Sequence, residues 1–516
     1  MAGLVGCAAI ALAAPASAAT YDPSEKSMAE LEADLTAGRT TSVELVTVYE
    51  QRIARLNPQL HAVIAVNPDA MGAARASDAA RKDGKPQGPL AGLPILVKDN
   101  IETADPMATT AGSLALKDNI TGRDAPLVAR LRGAGAIILG KTNLSEWANI
   151  RSSHSISGWS AVGGQARNPY APDRSPCGSS AGSGVAAAAS LAAAAIGTET
   201  DGSVTCPSAV NGLVGLKPTV GLVSRTHIVP ISHSQDTAGP MARNVRDAAL
   251  LLGVIAGSDP ADPATAPADA RKTDYLAGLR PDALKGVRIG VLRFAAGFHP
   301  ETDQVFDRSL ATLTAAGATL IEIAAPPPAS HDVGRLEKIV LGTELKADLN
   351  AYLATTSPAR VPSRTLADLI AFNKAHADAE MPLFGQDVFE AAEQTKGLGD
   401  PTYLAAKADA HRLAGPEGID AVLKANDVSV LVAPTLGPAW LIDPVLKDRF
   451  VGGGVGGPPA VAGYPHLTVP MGQVGGLPVG LSFVGPAWSE ASLLAYGYAF
   501  EQAAHPRIAP ALARQP

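Results

Sequence analysis

Between Pro176 and Thr219 the chain reads PCGSSAGSG, an Ala-rich stretch, GTETDGSVTCP and VGLKPT, and residues 182–195 contain only Gly, Ser, Val, Ala and Leu. No other part restricts the fold as strongly, because side chains this small let a helix lie at close range against strands. Alanine has the highest helix propensity, so a helix is expected over 184–195. Ser179 to Gly182 at its start would gain from the positive end of its dipole. Three hydroxyls, Ser179, Ser180 and Ser203, stand in Gly-rich turns at the two ends of that helix, with no histidine between them. A hydrolase built on these serines needs its base from elsewhere.

The best-placed base is Lys98 in GLPILVKDN (92–100). Gly92 and Pro94 precede the apolar run Leu93, Ile95, Leu96, Val97, which reads as a buried strand with Lys98 at its C-terminal end. Catalytic groups collect at such strand ends in α/β sheets. A lysine at its ordinary pKa of about 10.4 is charged at neutral pH and cannot accept a proton. Burial penalises the ammonium form and brings general-base lysines down to roughly 7–8. Taken alone, Lys98 reads first as a lysine snorkelling from a strand end.

Lys98, GSSAGS and TETDGS in this order resemble the amidase signature family, and the resemblance extends through GAIILGKTN (135–143), QDTAGPMAR (235–243) and AGYPHLTVPMGQVGGLPVGLSFVG (462–485). It implies a triad in which Lys98 is the base, Ser179 the bridging serine in an unusual cis peptide and Ser203 the nucleophile. It also implies a single large α/β/α layered domain around a mixed β-sheet, spanning 20–516, with no cofactor. Within the family the likeness is strongest to members that remove the carboxamide from peptide C-termini, on RSPCGSS, GTETDGS, GLKPTVGLVSR, LFGQ (383–386) and RLAGPEGID (412–420). A broad aliphatic or aryl amidase, or a glutaminase-like subunit of a transamidation complex, are the alternatives.

The chemistry follows from the residue types. Ser203 would attack the amide carbon while its proton passes to Ser179 and on to a neutral Lys98, because a hydroxyl both donates and accepts. The turn Thr200-Asp201-Gly202-Ser203 would supply backbone N–H groups to the oxyanion, and Gly202 can adopt conformations closed to other residues. Ser180 is a supporting neighbour. Two positions depart from the family pattern. Asp201 replaces the first Gly of GGS, so its carboxylate is expected to point away from the oxyanion. Thr205 and Cys206 stand where other members carry an Arg suited to gripping a carboxylate, which favours a neutral or extended substrate.

Rival motifs are weaker. Gly178-Ser179-Ser180-Ala181-Gly182 matches the G-x-S-x-G elbow with Ser180 as nucleophile, yet the approach NPYAPDRSP (168–176) is a Pro-rich loop and not the strand that the elbow requires. Gly135 to Thr142 matches a P-loop letter by letter, but AIIL is apolar and β-prone, so Lys141 is expected to be structural, with a fallback role as base. No Ser-x-x-Lys, H-E-x-x-H or C-x-x-C occurs, so no metal or redox site is indicated. His154, His227, His233 and His466 lie near the motifs and are expected to be hydrogen-bonded structural residues.

The chain has 516 residues, 46% of them hydrophobic, and a net charge of −7, enough for a large core and unsuited to nucleic acid. A monomer acting on a small-molecule or peptide amide is expected. Residues 1–19 are apolar and end in Ala16-Ser17-Ala18, a small-x-small cleavage pattern, so export to the periplasm or medium is expected; without cleavage the protein would be cytoplasmic. Broken by Pro15, the segment is too short for stable membrane insertion. Removing it leaves Cys177 and Cys206, expected as buried free thiols although their placement also allows a disulfide in an oxidising compartment. Elsewhere Thr41-Ser42-Val43-Glu44 opens a helix, Asp124 is expected to cap another, and a βαβ unit is expected at 287–292, 305–313 and 319–323. Ser258 to Ala270 reads as a solvated loop and Gly452 to Pro459 as a pocket rim.

Overall fold

The computed structural model describes residues 21–327 and 331–514; the export segment expected at 1–19 lies outside them. Eleven strands form one mixed sheet. In chain order they are β1 (Val63–Val66), β2 (Pro94–Lys98), β3 (Ile137–Thr142), β4 (Ala194–Glu199), β5 (Val214–Lys217) and β6 (Thr237–Ala242), then β7 (Arg288–Leu292), β8 (Thr319–Ile323), β9 (Val430–Pro434), β10 (His466–Val474) and β11 (Leu477–Val484). Their spatial order is β1-β3-β2-β4-β6-β5-β10-β11-β9-β7-β8. β2 runs parallel to both β3 and β4, whereas β4 to β6, β5 to β10 and β10 to β11 are antiparallel. Helices cover the sheet and make it an α/β fold, as expected from the sequence. Among the described residues no helix is long and apolar enough to cross a membrane.

The central strands are buried along their whole length, which is why they read as continuous apolar runs and not as alternating ones. The expected helix over 184–195 is corrected. The helix occupies Ala181–Ala188, and Ala194 to Glu199 is β4. Propensity cannot separate the two states in an Ala run. Ala194, Ala195 and Ile196 pair with Ile95, Leu96 and Val97 on β2, and this non-local pairing outweighs local preference. The small residues do serve close approach: a Cβ on Gly182 would stand 2.3 Å from Ala62 O and 2.4 Å from Asn143 O.

The helix Ser42–Leu60 starts as expected, with Thr41 accepting from the Glu44 amide. Asp124 does not cap its helix, which begins at Pro126 with Ala125 as N-cap; its carboxylate instead takes the Ala104 amide and Arg132. The βαβ unit is present as β7, Pro300–Ala315 and the parallel strand β8. Two short helical turns, Pro263–Thr265 and Ala268–Arg271, lie in the segment expected as a plain loop.

Candidate active site

β2 ends on Lys98, whose Nζ is fully buried. It lies 2.7 Å from Ser179 Oγ, 2.8 Å from Thr198 Oγ1 and 3.2 Å from Thr198 O. All three partners are neutral. Burial lowers Lys98 from its ordinary 10.5 to about 7, against the opposing pull of the Asp236 and Glu199 carboxylates. Thr198, on the neighbouring strand β4, also accepts from Asn100 Nδ2 at 3.0 Å. The alternation of β4 could have pointed to Thr198 only once its register against β2 was known.

The two serine turns are held together by backbone. Gly178–Ser179 is a cis peptide, as the family resemblance implied. The Ser180 amide donates to Ser203 O at 3.1 Å, and the Ser145 amide donates to Ser179 O at 3.0 Å. Ser180 Oγ donates to Thr198 O at 2.9 Å and accepts from its amide at 3.1 Å, so this hydroxyl fastens β4. The segment before Ser180 carries no strand, unlike an elbow. Ser203 is 8% exposed, and among the described residues its hydroxyl makes no hydrogen bond with Ser179.

Gly202 has φ of 77°, and among the described residues none of the amides of Thr200, Asp201, Gly202 and Ser203 donates a hydrogen bond. Such a row of unused donors suits an anion. The turn is braced on both sides. Glu199 Oε2 accepts from the Val204 and Thr205 amides at 2.7 and 2.9 Å. Thr200 Oγ1 donates to Asp236 Oδ1 at 2.6 Å, and Asp236 also accepts from the amides of Ile231 and Ser232. Neither brace carried a sequence signal of its own.

A cleft of about 400 Å³ opens between Gly178 and Gly202, lined also by Asp201, Thr435, Trp440 and His466. Asp201 Oδ1 sits beside Gly456, in the expected rim loop, and the side chain makes no hydrogen bond among the described residues. The residue is exposed at the cleft mouth; protein packed about its carboxyl and the Glu337 and Glu199 carboxylates raise it above the ordinary carboxylate range, and solvent screens the charge it keeps from an oxyanion. Asn149 lines this cleft and a second cavity of about 690 Å³. It ends a run of three left-handed residues, Trp147, Ala148 and Asn149, with φ of 49°, 53° and 71°. Runs of this kind outside glycine gather at functional sites.

The expectation of free thiols is corrected: Cys177 and Cys206 form a disulfide, with Cα atoms 6.0 Å apart. The contact between the two serine turns brings these neighbours together, a non-local fact hidden by their separation of 29 residues. Lys141 is structural in geometry: opposite Val97 of β2, it donates to Ile101 O at 2.5 Å and Thr109 Oγ1 at 2.8 Å and to neither serine turn. His466 lines the cleft, whereas His227 faces Glu102 and His154 is exposed. His233 meets Glu344 and Asp348, a grouping that could in principle hold a metal. Lys407 Nζ already lies 3.1 Å from His233 Nε2 and 3.3 Å from Glu344, and Glu344 is saturated by Ser232, Ser234 and Tyr403, so the group reads as a brace for the 231–236 segment.

The family model for amidases matches residues 44–494. A probable amidase of Arabidopsis thaliana is 40% identical over 495 residues, covering 94% of this chain and 91% of its own. A glutamyl-tRNA(Gln) amidotransferase component from Synechococcus is 36% identical, covering 92% and 91%. The crystal structure of native peptide amidase from Stenotrophomonas maltophilia superposes with a TM-score of 0.89 at 53% identity, over 95% of this chain and 99% of that one.

Proposed function

The chain belongs to the amidase family, and on that premise we propose that it hydrolyses the C-terminal carboxamide of peptides to the free acid and ammonia. The observation that carries the reading is a fully buried lysine amine 2.7 Å from Ser179 with neutral partners only. A neutral amine has two N–H groups and one lone pair. Thr198 O and Oγ1 take the N–H groups, and the lone pair takes the Ser179 proton.

Ser203 Oγ then bonds to the amide carbon as its proton moves to Ser179 and the Ser179 proton moves to Lys98. Ser203 must turn its hydroxyl toward Ser179 as substrate enters, a tightening common in such sites. The oxyanion meets the unused amides of residues 200–203. The proton returns through Ser179 to the substrate nitrogen, the C–N bond breaks and ammonia leaves. Water repeats the cycle on the acyl-enzyme to release the acid.

Peptide substrates are favoured by the identity of 53% to a peptide amidase and by the cavity of about 690 Å³ that adjoins the cleft at Asn149, with room for residues upstream of the carboxamide. The kinship with a tRNA-dependent amidotransferase keeps glutamine as the comparison substrate. Ammonia release should be compared for a peptide amide, the same peptide as free acid, glutamine and acetamide. The peptide amide should be turned over far faster than the others; acetamide or glutamine at an equal rate overturns the reading.

We also infer that the protein acts outside the cytoplasm, with residues 1–19 removed. The disulfide and the Ala16-Ser17-Ala18 pattern support it. Cell fractionation with N-terminal sequencing tests this, and a cytoplasmic chain with both thiols reduced would contradict it.

A further inference from the structure

One wall of the catalytic cleft is apolar and open to solvent. Phe450 lines the cleft yet is 61% exposed, and its ring stands 5.9 Å from that of Trp440. A large aromatic side chain left to water beside a catalytic turn calls for a partner that arrives from outside. Trp440 stands beside it in the wall and is only 6% exposed. The one polar atom of the indole is already engaged, because Nε1 donates to Asp448 Oδ1 at 2.9 Å, while Asp448 Oδ2 accepts from the Ser157 amide and hydroxyl at 3.0 and 2.7 Å. These two rings therefore offer a ligand hydrocarbon alone.

The wall begins at the serine turns. Trp440 packs in one apolar cluster with Leu436, Ala439, Val210 and Cys177, and Cys177 precedes Ser179 by two residues. Its disulfide partner Cys206 follows Ser203 by three, and both half-cystines line the cleft. In the acyl-enzyme the carbon bonded to Ser203 carries the Cα of the residue that bore the carboxamide, and that Cα sends out two groups. The peptide chain leaves past Asn149 into the adjoining cavity, which turns the side chain to the wall. Charge agrees with an apolar occupant. Among the described residues no lysine or arginine lines the cleft, burial pushes His466 down to about 3 and so keeps it neutral, and the acidic residues Asp201 and Asp448 line it too. An acidic side chain finds no cation there.

We propose that the side chain of the substrate residue bearing the carboxamide packs against Phe450 and Trp440, which makes the enzyme selective for peptide amides that end in a large apolar residue. This rests on the peptide-amide reading and narrows its substrate class.

Four N-blocked dipeptide amides test it: Ala-Phe, Ala-Ala, Phe-Ala and Ala-Glu. The wild-type enzyme should prefer Ala-Phe amide to Ala-Ala amide by about tenfold in kcat/KM, a low value for apolar contact at an enzyme site because this wall is open on one side. Ala-Glu amide should be no better than Ala-Ala amide. Phe450→Ala cuts back a side chain already open to water and should reduce the preference to about threefold or less, whereas Phe450→Leu should keep most of it. The ratio of two substrates is read because a general loss of activity cancels from it. Equal rates on Ala-Phe and Ala-Ala amides overturn the inference without any variant. So does a preference that Phe450→Ala leaves at tenfold, one that Ala-Glu amide shares, or one that appears only with phenylalanine in the first position, as in Phe-Ala amide. If none of the four amides releases ammonia, the peptide-amide reading itself fails, a result distinct from equal rates on all four.

Discussion

Replacing Lys98 by methionine should abolish the base and change how stability depends on pH. Lys98 is lowered from 10.5 to about 7, a gap of about 3.5 pH units. Between these values the unfolded chain holds a proton that the folded one does not, so the lysine's contribution to stability rises with pH. At 1.36 kcal/mol per unit, burial of Lys98 costs roughly 5 kcal/mol below about pH 7, and the cost vanishes above about 10.5. Methionine carries no such cost, but it orphans the groups on Thr198 and Ser179, at about 1–3 kcal/mol each. The net sign at neutral pH is therefore less telling than the slope. The stability advantage of Lys98→Met over wild type should shrink by about 1.4 kcal/mol for each unit from about pH 7.5 to 10. Chemical denaturation followed by tryptophan fluorescence at several pH values reads that difference. The same ionisation sets catalysis: kcat/KM should fall about tenfold per unit below about pH 7 and level off above it. A stability difference constant over this range, with activity still rising toward pH 10, would refute the neutral-base reasoning.

Ser203→Ala and Lys98→Ala should each lower kcat by at least about a thousandfold, and Ser179→Ala should cost more than Ser180→Ala, because Ser180 Oγ is engaged with Thr198 and not with Lys98. Reversed ranking in steady-state kinetics would transfer the bridging role to Ser180. Asp201→Asn should change kcat by less than about threefold, since the side chain is exposed and stands beside Gly456 in the rim loop, where solvent screens its charge; a gain of tenfold or more would show a charge opposing the oxyanion. Replacing Cys177 and Cys206 by serine should cost up to about 3–4 kcal/mol for a loop closed over 29 residues. A thiol titration of the unfolded, unreduced chain from residue 20 onward should find no free thiol.

Legibility in the sequence followed how local each signal was. Lys98 could be singled out because a short apolar run ending in a charged residue is a local pattern, its role as base came with the family resemblance, and β2 is buried from Pro94 to Lys98. The Gly-rich turns singled out Ser179, Ser180 and Ser203, the family resemblance divided the roles among them, and Gly202 does take φ of 77°. The Ala-rich segment misled, because alanine suits the helix at 181–188 and does not oppose the strand at 194–199, and only pairing with β2 separates them. Thr198, Glu199 and Asp236 were invisible for a related reason. Each acts on a residue that a sheet register or a distant loop brings to it. The Cys177–Cys206 bond belongs with these, as a consequence of the Ser180 to Ser203 backbone contact.

Central to the mechanism is that Ser203 carries the acyl group. Rapid acid quench of the enzyme with a peptide amide, followed by digestion and mass spectrometry, tests it most directly. The expected result is a peptidyl ester on Ser203, absent in Ser203→Ala. An adduct on Ser179 or Ser180, or undiminished turnover by Ser203→Ala, would contradict it.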